Sequence, residues 1–246
     1  MSNLYLSFTN GLIPLLLLLW IIPLNGQPEV YVDNQGISGN TSSDLLRRLD
    51  RDVLKKNPDV CIILVGTNDL LNSAKMITIS DYSDNVARLI HRISDAGIEP
   101  VLISPPPVDT LYLFQRHDRR SYPQSPRQLL EAARDSMAGI SLQENVCFID
   151  LYQILKEDRV PTHNKDVIIQ NESNSQVSDG VHLTAEGNQL LATLVYEKLK
   201  EEHLLDESVH IICFGDSLTY GVRMEGAGSS DGNTYPSYLK SLILSR

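Results

Sequence analysis

The stretch Ile211-Ile212-Cys213-Phe214-Gly215-Asp216-Ser217-Leu218-Thr219-Tyr220-Gly221 runs from an apolar, β-prone segment into a Gly-Asp-Ser turn. A strand here delivers Ser217 to its carboxyl end, where open α/β sheets hold their ligands. Gly-Asp-Ser is also ordinary turn chemistry, so its meaning depends on the rest of the chain. Working outward, Val30-Tyr31-Val32, Val60 to Val65, Val101 to Ile103 and Val146 to Ile149 are four further strand-like runs. The Val60 run is apolar throughout, as in a parallel strand covered on both faces. Helical spacing fills the gaps. Leu45, Leu46, Leu49, Val53 and Leu54 follow a Ser42 or Ser43 cap, and Tyr82, Val86, Leu89, Ile90 and Ile93 lie within Asp81 to Ala96, which Gly97 stops. Gln128 to Leu142, the segment capped by Thr184, and Pro236 to about Leu244 complete the set. Five strands alternating with helices predict an α/β fold with a parallel sheet and helices on both faces.

Three more stretches accompany the serine turn: Asn34-Gln35-Gly36-Ile37-Ser38-Gly39-Asn40-Thr41, Gly66-Thr67-Asn68-Asp69 and Asp179-Gly180-Val181-His182-Leu183. Together the four resemble the blocks of the GDSL, or SGNH, family of serine hydrolases. In that family the serine block comes first, whereas here it comes last. The resemblance implies a flavodoxin-like three-layer αβα sandwich with a five-stranded parallel sheet, circularly permuted, occupying residues 29–246. Two other accounts of the order stay open: a truncated tandem domain after a gene rearrangement, and a swapped dimer in which Ser217 serves the neighbouring chain's His182.

The resemblance also implies the chemistry. A serine hydroxyl needs a base to take its proton, and imidazole is suited to this near neutrality. Of the six histidines, the motif selects His182. Asp179 stands three residues earlier, so a tight turn brings its carboxylate to the far ring nitrogen. The expected catalytic set is Ser217, His182 and Asp179. The expected oxyanion donors are the backbone N–H groups of Ser217 and Gly39 and the side-chain amide of Asn68, the last two carried over from the family. Asp216 and Asp69 are read as structural hydrogen-bonding groups of their turns.

The composition fits this reading. Lys+Arg 21 against Asp+Glu 31 gives a net charge of -10, which opposes binding to nucleic acid backbones. Cys61, Cys147 and Cys213 each lie in a strand-like run and read as buried free thiols. No zinc spacing or dinucleotide-binding glycine pattern occurs, so neither a metal nor a cofactor is expected. The partner is a small-molecule acyl ester, and oligomeric state is left open.

Residues 1–28 contain the apolar run Gly11 to Leu24, short for a membrane span and closer in length to a signal-peptide core. No Lys or Arg precedes it, and Leu24-Asn25-Gly26 is a poor cleavage site. Signal peptide, membrane anchor and leftover upstream sequence all stay open, so the protein is exported or membrane-associated in the first two cases and cytoplasmic otherwise. Two irregular sections, Pro105 to Arg127 and Asp158 to Ser178, read as pocket-shaping loops. Neither carries an extended apolar stripe for a fatty chain, which favours a short acyl group. The function expected is an esterase acting through an acyl-enzyme on Ser217. A thioesterase or carbohydrate O-deacetylase is the alternative within the family, and a non-catalytic binding domain with a misassembled site is the alternative outside it.

Overall fold

The computed structural model describes residues 29–246; the apolar run lies outside them. In chain order the elements are β1 (Val30–Gly36), α1 (Ser42–Asp52), β2 (Val60–Leu64), α2 (Thr67–Leu71), α3 (Ile79–Ser94) and β3 (Glu99–Ile103). There follow α4 (Thr110–Arg116), α5 (Pro126–Glu144), β4 (Cys147–Ile149), α6 (Leu151–Glu157) and α7 (Glu172–Ser175). The last are α8 (Ala185–Glu201), β5 (Val209–Gly215), α9 (Ser217–Tyr220) and α10 (Tyr235–Leu244).

All five strands are parallel, in the order β1-β5-β2-β3-β4. Numbered from β5, that order reads 2-1-3-4-5, the flavodoxin-like arrangement. The alternation of side chains along each strand divides the core in two. Cys61, Ile63, Leu102, Ile212 and Phe214 face one layer, built from α1, α3 and α5. Val60, Ile62, Leu64, Val101, Ile211 and Cys213 face the other, built from α6, α8 and α10. Both faces are covered, which is why β2 reads as an unbroken apolar run. The serine strand lies between β1 and β2, inside the sheet, so Ser217 emerges near its middle.

Two glycines make this possible by close backbone approach. A Cβ on Gly215 would meet the Leu64 carbonyl oxygen at 2.4 Å, and one on Gly36 would meet the Tyr220 nitrogen at 2.1 Å. Strands β1, β2 and β5 thus end tightly against the turn that carries the serine.

Several local expectations need correction. The cap of α1 is Thr41, not Ser42 or Ser43: its hydroxyl accepts the Asp44 N–H while Asp44 bonds back to Thr41. Ser42 is unavailable because Asp69 takes both its N–H and its hydroxyl. Helix α3 begins at Ile79, capped by Thr78, rather than at Asp81. The section after the three prolines is not irregular throughout, since α4 follows the Asp109 cap and buries Tyr112 and Leu113. Its brevity hides the helical period. Cys61 and Cys213 are buried, but Cys147 on edge strand β4 is only half-buried. No helix among the described residues is long and apolar enough to cross a membrane.

Candidate active site

Ser217 is the first residue of α9, and Asp216 caps that helix by accepting the Leu218 N–H at 2.9 Å. The turn holds the serine hydroxyl at the rim of a cavity of about 210 Å³ above the carboxyl ends of the strands. Across it stands His182, with Nε2 3.0 Å from Ser217 Oγ. The two side chains meet within one chain.

The histidine loop is fixed from below. The Gln170 N–H donates to the His182 carbonyl at 2.8 Å, the Gly180 N–H to the Gln170 carbonyl at 2.9 Å, and the Asp109 N–H to the Gly180 carbonyl at 2.7 Å. Gly180 has φ +73°, and a Cβ there would meet Asp109 Cβ at 2.9 Å, so a side chain is excluded twice. This turn brings Asp179 Oδ2 to 2.8 Å from His182 Nδ1. Asp179 Oδ1 accepts the backbone N–H groups of Val181 at 2.9 Å and His182 at 2.7 Å. Asp179 is 2% exposed. Burial alone would raise its pKa, but the His182 ring and these backbone donors outweigh it and hold the carboxyl well below the usual range.

Asp216 has the opposite balance. Wholly buried, with Asp69 nearby as a like charge, it is pushed up to about 7 despite the Leu218 N–H and the Asn68 amide. Asn68 lines the cavity, and its Nδ2 donates to the Asn40 carbonyl at 3.0 Å and to Asp216 Oδ2 at 3.4 Å. Gly39 lies one residue before Asn40, at φ +79°, and is not on the cavity wall. Among the described residues the N–H groups of Gly39 and Ser217 have no hydrogen-bond partner. Thus Ser217, His182, Asp179 and Asn68 converge on one cavity, with Gly39 in the adjoining loop.

Three further groups at this site are given no role by the sequence motifs, although Thr67 lies within one of them. Arg223 lines the cavity and donates through Nη1 to Asp179 Oδ2 at 2.6 Å. Gln170, fully buried, ties the histidine loop to the segment after α9 through bonds to the carbonyls of Leu183 and Val222. Thr67, on the cavity wall, has a buried hydroxyl with no partner among the described residues. No spacing rule would single these out.

A family model described as the GDSL-like lipase/acylhydrolase family matches residues 23–190. The chain belongs to that family. The match ends before the strand that carries Ser217. Among similar proteins, an uncharacterized lipoprotein, YqeF, of Bacillus subtilis (strain 168) is 24% identical over 183 residues, covering 70% of this chain and 73% of its own. The crystal structure of a lipase/acylhydrolase from Enterococcus faecalis aligns with a TM-score of 0.51 and 28% identity, covering 67% of this chain and 72% of that one. An acetylxylan esterase from Geobacillus stearothermophilus, solved as a catalytic mutant, gives a TM-score of 0.53 at 20% identity, covering 67% and 69%; at that identity it speaks to the fold. This GDSL-like chain is therefore an α/β acylhydrolase by family, with a five-stranded parallel sheet.

Proposed function

We propose that the protein is a serine esterase hydrolysing short acyl esters through an acyl-enzyme on Ser217. The observation that carries this reading is the 3.0 Å separation of His182 Nε2 from Ser217 Oγ. His182 takes the hydroxyl proton as Ser217 Oγ attacks the ester carbonyl. It then gives that proton to the departing alkoxide, leaving the acyl group on the serine. Water enters, His182 takes its proton, and the second tetrahedral intermediate collapses to release the acid and restore the serine. Asp179 holds the ring so that Nε2 faces the serine and stabilises the imidazolium formed in each half-reaction.

The negative charge on the carbonyl oxygen falls to the N–H groups of Ser217 and Gly39 and to the Asn68 amide. Among the described residues the two backbone donors have no other partner. Asn68 can serve by exchanging its 3.4 Å contact with Asp216 for a substrate oxygen. One such donor typically contributes about two to three orders of magnitude in rate.

Residues 29–246 form the catalytic domain on this reading, with the serine strand permuted to its end. The strand order supports the permutation, because starting from β5 restores the flavodoxin-like sequence of strands. A carbohydrate O-deacetylase is the second reading. The small cavity suits an acetyl group, and a neighbour of the same fold is an acetylxylan esterase. Export or membrane attachment through residues 11–24 is proposed from their apolarity, with a lipoprotein among the relatives.

The deciding experiment is p-nitrophenyl acetate hydrolysis, beside fluorophosphonate labelling, with wild type and Ser217→Ala. Turnover and labelling that both vanish in Ser217→Ala are expected. Absence of both in the wild type would return the chain to the binding-domain reading.

A further inference from the structure

We propose that Arg223 is a positioning residue: its guanidinium fixes Asp179 and, through it, the angle at which the His182 ring faces Ser217. The proposal rests on the serine esterase reading above.

The bonding of the Asp179 carboxylate carries it. Oδ1 is held by two backbone N–H groups, those of Val181 and His182. Oδ2 faces His182 Nδ1 at 2.8 Å and accepts Arg223 Nη1 at 2.6 Å. Oδ1 also lies 3.0 Å from Nδ1, so without Arg223 the nearer of the two oxygens facing the imidazole loses its second donor. Asp179 is almost wholly buried, so in the folded protein the guanidinium, and not bulk water, fills that second place. Ion pairs with exposed guanidinium groups are usually weak. Here one partner is buried and the same oxygen serves the imidazole, so the consequence is orientation of the pair.

The guanidinium is itself held in place. Nη1 also reaches Gln170 Oε1 at 3.3 Å, and Gln170 Nε2 donates to Leu183 O at 2.8 Å and Val222 O at 2.9 Å. The segment after the serine helix is thereby locked to the loop that carries the histidine. Arg223 has φ +65°, a left-handed conformation that glycine adopts without strain. An arginine held there against that preference is the kind of local strain that marks a constrained role.

Other charged groups surround the imidazole. Asp216 lies beside the serine, and Arg116 and His117 stand across the cavity. Arg223 differs from these in bonding directly to Asp179.

The test measures kcat and KM for p-nitrophenyl acetate from pH 5 to 9 in wild type, Arg223→Gln, Arg223→Lys, Asp179→Asn and the Arg223→Gln/Asp179→Asn double variant. Arg223→Gln is expected to lower kcat about 10- to 100-fold, the scale of a misplaced catalytic group, with KM little changed. Arg223→Lys keeps a donor and a positive charge beside Asp179 and should recover part of kcat, which loss of packing alone would not predict. In the Asp179→Asn background, Arg223→Gln should add little, since the group it works through is already changed. Arg223→Met keeps the aliphatic stem and carries the same expectations should Arg223→Gln not fold.

An unchanged kcat overturns the proposal. So does a rise in KM alone, or an effect that multiplies undiminished with Asp179→Asn, either of which would make Arg223 a substrate contact. Failure of the underlying reading looks different, because wild type would then show no turnover, or turnover that survives Ser217→Ala.

Discussion

Arg48 Nη2 donates to the carbonyl of Gly215 at 2.8 Å, joining α1 to the last residue of the serine strand across 167 positions of sequence. The same guanidinium bonds Asn40 Oδ1 through Nε at 2.7 Å, pairs with Asp52 at 2.9 Å and lies 4.3 Å above the Phe214 ring. Arg48 is 7% exposed and Asp52 6%. One buried side chain thus ties the strand end that presents Ser217 to the loop that holds Gly39 and Asn40.

Removing it should cost both stability and rate. Breaking a buried ion pair typically costs about 3–5 kcal/mol. Asp52 keeps Arg51 as a partner, so the low end, about 3 kcal/mol, is expected for Arg48→Met in urea unfolding. Under conditions where the variant is folded, kcat should also fall, because the Gly215 carbonyl and Asn40 lose a common anchor. A variant that is destabilised but fully active would show that Arg48 serves the fold alone.

Asp179→Asn should lower kcat by about three to four orders of magnitude, because the amide can present the wrong hydrogen-bonding partner to the imidazole. The Val181 and His182 N–H groups can still bond an amide oxygen, so the loop should keep its conformation. Stopped assays with equal thermal melts for the two proteins would separate this from unfolding. Combining Asp179→Asn with Ser217→Ala should add almost nothing to Ser217→Ala alone, as groups acting as a unit are far from additive.

The two buried aspartates predict opposite pH dependences of stability. Asp216 is raised to about 7 from an ordinary 3.8, so between those values the folded protein keeps a proton that the unfolded chain releases. Stability from this group is complete below the unfolded pKa and is lost as pH rises through about 7. Asp179 is lowered; its contribution is present above the ordinary carboxylate range and is lost only as pH falls below it. The window from pH 5 to 8 therefore reports Asp216 and not Asp179. Urea unfolding at both pH values should show Asp216→Asn gaining on wild type at pH 8 relative to pH 5. An identical difference at the two values would rule out this titration.

The parts of the site that were legible in the sequence are those whose partners are near neighbours or whose residue type is itself the signal. Asp179 and His182 are three residues apart, and Ser217 follows an apolar strand directly. Helix faces were legible for the same reason: Val86, Leu89, Ile90 and Ile93 repeat at the period of α3 and are buried there. Arg48 and Arg223 were not legible, because each acts on a group 167 or 44 positions away. Thr41 was missed as a cap because Asp69, 27 residues from Ser42, takes the groups that would have made Ser42 one. Short α4 escaped because seven residues give barely two turns in which to show a period.

Thr67 supplies a prediction about stability at the cavity wall. Its hydroxyl is buried without a partner among the described residues, and such a group costs about 1–3 kcal/mol relative to a satisfied one. Thr67→Val keeps the branched shape and removes the orphan oxygen. Unfolding free energy should rise by about 1 kcal/mol. A loss of stability would mean that the hydroxyl is satisfied in solution.

The cavity also sets the acyl chain. At about 210 Å³ it lies below the 300–1,000 Å³ common for drug-sized ligands. Leu71 and Leu113 are apolar lining residues, and both are almost wholly buried, so they are packed from behind and yield little. An acetyl or butyryl group should fit, while a longer chain must leave through the polar side marked by Asn72, Arg116 and His117. Across p-nitrophenyl esters, kcat/KM should peak between acetate and butyrate, since each methylene seated in such a pocket is worth about 1–3 kcal/mol, about 10- to 200-fold. It should then fall steeply at octanoate and palmitate. Leu113→Ala opens the wall and should move the optimum to longer chains, at a stability cost of about 2–5 kcal/mol. If wild type accepts palmitate as readily as acetate, the wall formed by Leu71 and Leu113 is not the boundary of the acyl site, and the chain must bind along a different surface.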